Sequence, residues 1–212
     1  KYPKCWEYLL SNKTRLQKRD IQKGNSGNWY QFGRSQSLTK FNGKHKIIWP
    51  VLSLDSNYVY DDKDVLFTGG GNGPYYALRM KDGQQLSLFY LLGILSHPMI
   101  EMLVKSKAST FRGGYYSHGK EYLSKLPIAI PDMSNNKHKT IYEEIITATK
   151  KIVSLQRKLS TTVVPHKKNI LSKQSNLLKE ELFTKTNILY GVTDKEVHQC
   201  IHNLFLTPNY SD

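Results

Sequence analysis

The sequence has little cysteine, no long apolar run and no basic-then-apolar leader. Cys5 and Cys200 lie near opposite ends and form no C-x-x-C pair, which argues against a disulfide framework or a thiolate zinc site and suits a reducing cytosol. The apolar segments at residues 47–52 and 88–95 are too short to span a bilayer. We therefore expect a cytoplasmic protein that does not enter a membrane. Because the first residue is Lys1, we interpret the chain as a piece of a longer polypeptide.

Grouped metal ligands are also scarce, although the chain has 7 histidines. His198 and His202 have the spacing that shares one helical face, so a metal site between them is conceivable. The pattern H-x-x-x-H lacks the glutamate of H-E-x-x-H, however, and is usually coincidental. The sequence therefore predicts solvated histidines and no metal.

Acidic side chains are few relative to basic ones, with 17 Asp and Glu against 31 Lys and Arg, a net charge of +14 and a pI of about 9.6. The surplus is concentrated in residues 1–50, which hold 11 basic and 2 acidic side chains. Such a surplus favours a polyanionic partner, either nucleic acid or an anionic membrane surface. A basic amphipathic helix with an aromatic and leucine face is missing, so nucleic acid ranks above membrane. A generally lysine-rich composition without any such partner is the alternative.

The front of the chain alternates between helical and strand-like patterns. Pro3 and the following residues to about Arg19 predict an opening helix, because proline is tolerated in a first turn. Short β-branched or aromatic runs bounded by turn residues predict strands of a sheet. These runs are KIIWPVLSL (46–54), NYVYD (57–61), DVLFT (64–68) and YYALRM (75–80).

A mostly apolar helix is predicted over residues 86–106, with a kink or a break at Pro98. A glycine turn, a short helix and an extended segment, LPIAIPD (126–132), follow it.

The tail has the pattern of long helices. Apolar residues recur at alternating spacings of four and three, as in the seam of a coiled coil: Ile141, Ile145, Ala148, Ile152, Leu155 and Leu159. A second helix is predicted from about Asn169 to Tyr190, with Gly191 placed to end it. Thr193 and Glu196 form a plausible capping box for a third, short helix.

These patterns predict an α+β fold. We expect a mixed α/β body containing a sheet over residues 1–133, followed by a long helical hairpin over residues 134–212. The hairpin would act as a spacer or a docking surface. One alternative function is an oligomerising scaffold that associates through the helices at 141–189.

A glycine-rich segment, LFTGGGNGPYYALRM (66–80), raises the question of a cofactor. Cofactor loops of this kind precede a helix, whose N-terminal amides hold the ligand. Here Pro74 and the strand-like run 75–80 follow Gly73, so the segment predicts a turn between strands or a close approach of another backbone. DNA phosphate would suit it, since successive glycine amides bind anions. A complete small S-adenosylmethionine-dependent enzyme built on Gly69–Gly73 is the alternative.

Two further stretches combine arginine, glycine and aromatic residues: WYQFGRSQ (29–36) and FRGGYYSHGKEY (111–122). Arginine reads guanine or clamps phosphate, glutamine pairs with adenine, and tyrosine stacks or contacts phosphate. Buried sheet tyrosines and surface arginines would explain each stretch singly. Three such stretches in one basic chain favour nucleic acid.

Taken in order, seven segments resemble the TaqI-like C-terminal specificity domain of adenine-N6 DNA methyltransferases, including those fused to a nuclease in restriction-modification enzymes. Related target-recognition domains occur in type I restriction specificity subunits. The segments are CWEYLLSNKTRLQKR, WYQFGRSQ, KIIWPVLS, FTGGGNGPYYAL, LLGILSHPMIE, FRGGYYSHGKEYLSKLPI and LYGVTDKEV.

The resemblance implies a target-recognition domain at 1–133 that grips duplex DNA opposite a catalytic domain of the same parent chain, in the prokaryotic cytoplasm near the nucleoid. The target adenine would be flipped into an N-P-P-Y pocket in that domain, where S-adenosylmethionine is expected. The sequence lacks N-P-P-Y, and its PD-(D/E)xK nuclease pattern is incomplete. We therefore expect no catalysis and no cofactor in this chain.

Candidate DNA contacts follow from the resemblance. Arg34, Gln36 and Arg112 are assigned to bases or phosphate, and Lys120 to phosphate. Members that read different sequences share F-T-G-G-G-N-G and F-R-G-G-Y-Y, so base-choosing side chains are expected in the less patterned loops 23–28 and 35–44 and around His118. The remaining candidates are Tyr30, Lys40, Asn72, Tyr75, Tyr115, Tyr116 and His118.

Overall fold

The computed structural model describes residues 1–19, 29–31, 42–43, 45–67, 73–192 and 194–206. The predicted opening helix is present but divided in two. Helix α1 (Pro3–Ser11) and helix α2 (Lys13–Gln17) are separated at Asn12, whose side-chain amide donates to the carbonyl of Tyr8 at 2.9 Å.

Within the described ranges, the strands form two antiparallel sheets, with orders β3-β1-β4 and β2-β6-β5. Three of the four predicted strand runs contain strands, and the fold is α+β as expected. The strands are β1 (Lys46–Pro50), β2 (Leu52–Ser53), β3 (Val59–Asp61), β4 (Tyr75–Leu78), β5 (Thr110–Phe111) and β6 (Tyr115–Ser117).

The predicted strand 46–54 is shared between the two sheets, and Val51 is the junction. Its amide donates to the carbonyl of Pro74 at 2.9 Å, beside the start of β4. Its carbonyl accepts from the amide of His118 at 2.6 Å, beside the end of β6. One residue therefore fixes both sheets to each other.

The prediction of a strand at DVLFT is wrong for its described part, residues 64–67. The carboxylate of Asp61 accepts from the amides of Lys63 and Val65, both at 2.9 Å, and so folds the chain back. Asp64 has φ of 59°, a left-handed conformation that interrupts an extended run. The apolar residues here belong to a turn.

The predicted break at Pro98 is confirmed. Helix α3 (Leu88–Leu95) and helix α4 (Pro98–Lys105) meet at 65°, and His97 caps α4 by accepting from the amide of Met99. Among the described residues no single helix has the length and apolar composition to cross a membrane; α3 and α4 have them only as this bent pair.

The tail forms the predicted helical pair. Helix α6 (Asn136–Thr161) buries Ile141, Ile145, Ala148 and Ile152 of the predicted seam. The shorter helices around the pair are α5 (Lys120–Leu123) and α8 (Lys195–Leu206).

Helix α7 (Pro165–Leu189) begins four residues earlier than predicted, because Pro165 suits a first turn. Gly191 ends it as predicted, with φ of 70°, and its amide and that of Val192 return to carbonyls of the last turn. Thr193, in the predicted capping box, lies outside the described residues. The carboxylate of Asp194 accepts from the amides of Glu196 and Val197.

The core lies where α3 crosses the long helices at Gly93. A β-carbon on Gly93 would lie 2.6 Å from Thr149 Oγ1, 3.1 Å from Ile145 and 3.2 Å from Leu182. Only glycine permits so close an approach. The same buried cluster includes Ile47 of β1, so side chains from both predicted domains pack together. The boundary at residue 133 stays a prediction.

Candidate nucleic-acid interface

The β5–β6 hairpin presents Arg112 at its tip. Gly113 and Gly114 have φ of 85° and 77°, so the turn uses the left-handed conformations that glycine adopts without strain. Phe111 pairs with Tyr115 across the hairpin, and their side chains are 48% and 42% exposed. Arg112 is exposed, and no described residue forms an ion pair with it. The guanidinium is therefore free to bind a phosphate or a base edge.

The stretch that forms the hairpin and the glycine-rich segment meet at Val51. Pro74, at the end of that segment, bonds to Val51, and β2 then runs from there toward the hairpin tip. Leu54 lies beneath the turn, 3.7 Å from where a β-carbon of Gly114 would be. Only Leu52 and Ser53 lie between Val51 and Leu54, so these two residues are at most about 10 Å apart. Two of the three arginine-and-glycine stretches are thus neighbours.

The two ends of the glycine-rich segment are held together. The ring centroids of Phe67 and Tyr75 lie 6.0 Å apart, one on each side of residues 68–72, and Tyr75 is 42% exposed. The segment continues into β4, and over the described residues 73–192 the first helix begins at Leu88. The segment is therefore not followed directly by the helix N-terminus that a loop binding S-adenosylmethionine would require.

A buried lysine fixes the chain on either side of β1 and β3. Lys46 is fully buried, and its ammonium lies 2.7 Å from Asp61 and 3.3 Å from Asp64. It also donates to the carbonyl of Gly43, whose amide donates to Asp64. We call this group the lysine clasp; it consists of Lys46, Asp61, Asp64 and Gly43. It ties the chain at Gly43 to Asp64, two residues before the start of the glycine-rich segment.

The lysine clasp keeps the Asp61 carboxylate charged. Burial by itself raises the pKa of Asp61, but hydrogen bonds from Lys46 and from the amides of Lys63 and Val65 outweigh burial and hold the pKa below its ordinary value. Arg79 adds a further link by donating to the carbonyl of Asn42 at 2.6 Å. Sequence reasoning missed this cluster, because a lysine before an apolar run does not reveal that its ammonium is buried.

Tyr30 belongs to an aromatic cluster at the front of the chain. Its ring centroid lies 5.4 Å from that of Trp6 and 5.6 Å from that of Trp29, and the side chain is 41% exposed. Arg19 donates to the carbonyls of Trp29 and Gln31, both at 2.9 Å. Tyr30 therefore packs against α1 and leaves part of its ring accessible.

His118 is placed inside the molecule, which corrects its assignment as a direct contact. Only 1% of it is exposed, and Nε2 lies 3.0 Å from the carboxylate of Glu101. Its carbonyl accepts from the indole of Trp49. Tyr116 is half-buried, with the ammonium of Lys105 5.2 Å from its ring centroid. Both residues support the base of the hairpin.

The other candidates are divided between the surface and the part of the chain that is not described. Lys120 is exposed in the first turn of α5. Arg34, Gln36, Lys40 and Asn72 lie outside the described residues. The described side chains include no group of three or more His, Cys, Asp or Glu that could hold a metal ion.

Comparison with protein families matches residues 2–128 to the TaqI-like C-terminal specificity domain. Among curated proteins, the type II restriction enzyme and methyltransferase RM.Eco57I of Escherichia coli is 29% identical over 148 residues. The aligned region covers 68% of this chain and 15% of that protein. The chain therefore spans a small part of the length of the curated relative that it matches.

Proposed function

Since the chain belongs to the family of TaqI-like C-terminal specificity domains, we propose that it recognises a specific duplex-DNA sequence for a restriction-modification adenine-N6 methyltransferase. The observation that carries the proposal is the hairpin tip. Arg112 is exposed between two accessible aromatic side chains, and the glycine-rich segment is a neighbour. The net charge of +14 supplies attraction to phosphate.

Each candidate has a proposed role on this surface. Arg112 contacts a base edge or a phosphate, while Tyr75 and Tyr115 contact sugar or phosphate with their exposed edges. Lys120 adds a phosphate contact. The remaining contacts come from four residues outside the described ranges: Arg34, Gln36, Lys40 and Asn72. The lysine clasp orders the chain at Gly43 and Asp64, near these residues in sequence.

The parent protein supplies the chemistry in this proposal. The relative's name joins a restriction enzyme with a methyltransferase, and the present sequence carries neither an N-P-P-Y motif nor a complete nuclease motif. A separate catalytic domain therefore binds S-adenosylmethionine and takes the flipped adenine. This chain holds the duplex in register for that step and does not methylate or cleave.

Selection of bound duplexes from a random-sequence library tests the proposal. We expect the chain to enrich one consensus sequence, and Arg112→Ala to weaken binding to it by about 1 to 3 kcal/mol without lowering thermal stability. Arg112→Lys is the matched variant, because it keeps the charge but loses the bidentate fork. Equal losses in both variants would assign Arg112 to a base, and a loss in the alanine variant alone would assign it to phosphate.

Failure to enrich any sequence would contradict specific recognition. Calorimetric titration with S-adenosylmethionine separates the proposal from the alternative of a complete small enzyme. A recognition module gives no heat of binding, whereas saturable heat would favour the enzyme.

A further inference from the structure

We propose that the distal part of the helical pair, residues 150–173, binds the phosphate backbone of DNA that flanks the recognised sequence. This basic arm consists of the last twelve residues of α6, the connecting turn and the first nine residues of α7. The inference rests on the proposed function, but it concerns a part of the chain beyond the family match at residues 2–128.

The helical pair is polarised in charge along its length. Acidic and basic side chains are mixed at the end of the pair where α6 begins and α7 ends. There the ammonium of Lys185 lies 2.8 Å from the carboxylate of Glu144. Between Glu144 and Glu180 the sequence contains no acidic residue. The basic side chains of the arm itself are Lys150, Lys151, Arg157, Lys158, Lys167, Lys168 and Lys173.

Five lysines of the arm are exposed and form neither an ion pair nor a contact with an aromatic ring among the described residues. Fold stability does not account for them, because like charges without acidic partners at helical spacing repel one another. Lys167 and Lys168 lie in the first turn of α7, where the helix dipole disfavours cations. The five are Lys151, Lys158, Lys167, Lys168 and Lys173.

The arm is joined through Arg157 to β3, the edge strand of the β3-β1-β4 sheet. The guanidinium binds both carboxylate oxygens of Asp62, at 2.9 and 3.0 Å, at the end of β3. The neighbouring Tyr60 hydroxyl lies 2.7 Å from Nδ1 of His45. His45 precedes β1 and follows the predicted DNA-binding loop 35–44. The arm is therefore fixed to the body of the molecule at β3, beside described residues that adjoin the predicted DNA-binding loop 35–44 in sequence.

The groove between β3 and α6 carries the same positive character. It has a volume of about 360 Å³, and its lining includes Lys150, Arg157 and Lys158 together with Phe89. The ammonium of Lys150 lies 5.3 Å from the centroid of the Phe89 ring. Asp62 also lines the groove and pairs with Arg157, which leaves Lys150 and Lys158 as the cations that a phosphate chain can bind there.

The dimensions fit a duplex. From residue 150 to residue 161, α6 extends about 18 Å at 1.5 Å per residue. Duplex DNA carries about one negative charge per 1.7 Å of its axis, so 18 Å of duplex carries about ten phosphates, and some of these face one side. Lysines on an arm of this length can neutralise several of them.

Salt-dependent binding to a 40-base-pair duplex of random sequence tests the inference. The test variant is Lys167→Gln with Lys168→Gln, and the matched control is Lys137→Gln with Lys139→Gln. Each removes two exposed lysines near the start of a long helix. If both lysines contact phosphate, the slope of log binding constant against log salt concentration becomes shallower by about 1.8 in the test variant. The control keeps the wild-type slope.

The outcomes separate this inference from the proposed function. Wild-type binding with an unchanged slope in the test variant overturns the role of the arm and leaves sequence recognition standing. Absence of any duplex binding by the wild-type chain overturns both. If the test variant keeps the duplex slope but loses binding to phosphatidylserine vesicles, the arm faces a lipid surface and the inference is wrong.

Discussion

Lys46 shows how a single buried charge shapes the candidate interface. An isolated ammonium in the interior is strongly unfavourable, so its position depends on Asp61 and Asp64. The same carboxylates order the turn that replaces the predicted strand at 64–68. The clasp therefore couples fold stability to the order of the chain at Gly43 and Asp64, near candidate DNA-binding residues in sequence.

We expect Lys46→Met to lower the free energy of unfolding by about 3 to 5 kcal/mol, because it leaves the Asp61 carboxylate buried without its cation. Chemical denaturation at pH 7 measures the change. Lys81→Met is the control, since Lys81 is exposed and no described ion pair includes it; its effect should be within about 0.5 kcal/mol of zero.

The pH dependence gives an independent check of the same variant. The folded-state pKa of Asp61 is held below its ordinary value of 3.8. Its stabilisation is therefore present above that value and is lost as the pH falls through the folded-state pKa. The stability difference between wild type and Lys46→Met should narrow below about pH 4. A difference that stays constant from pH 6 to pH 2 would exclude the ion pair as its cause.

Single positions in a patterned stretch were only partly predictable from sequence. Arg112 and His118 belong to the same run, 111–122, and both were assigned to DNA. Arg112 is at an exposed tip, but His118 faces Glu101, which lies on another element. The pattern of the run does not identify a partner 17 residues away along the chain.

At the scale of elements, periodicity predicted best where packing follows a regular repeat. The seam of α6 and the break at Pro98 were predicted because helical spacing and the missing amide of proline act locally. The opening helix divides at Asn12, and the strand 46–54 divides at Val51. The division at Val51 depends on a hydrogen bond to distant backbone, at Pro74, which no local pattern contains. The division at Asn12 involves a bond from its side chain to the carbonyl of Tyr8, four residues back.

Gly93 provides the test at this scale. We expect Gly93→Ala to destabilise the protein by about 1 to 3 kcal/mol, because the added methyl overlaps Thr149 Oγ1 at 2.6 Å in a close-packed core. Helix propensity alone would favour alanine by about 1 kcal/mol, so the sign of the change is diagnostic. Thermal and chemical denaturation measure it.

A second substitution identifies the cause. Thr149→Ala removes the overlapping oxygen, so Gly93→Ala should cost less in the Thr149→Ala background than in the wild type. Additive effects of the two substitutions would contradict direct contact at this crossing.

The whole molecule combines a compact core with an uneven distribution of charge. Composition was enough to predict a polyanionic partner, because the net charge follows from the numbers of acidic and basic residues and does not depend on the fold. It did not predict that two of the arginine-and-glycine stretches meet at Val51, because that proximity arises from the pairing of β2 with β6 and of β1 with β4. The third stretch, WYQFGRSQ, is described only at residues 29–31.

Photo-crosslinking tests the central claim, a single DNA-binding surface formed by the hairpin and the glycine-rich segment. Benzoylphenylalanine would replace Tyr115 or Tyr75, each 42% exposed. The control position is Ile130, which is 72% exposed. It follows Ala129, whose amide donates to the hydroxyl of Tyr190. We expect crosslinks to a bound 40-base-pair duplex from positions 115 and 75 and none from 130. Equal crosslinking from all three positions, or none from 115 and 75 while the duplex stays bound, would contradict the proposed surface.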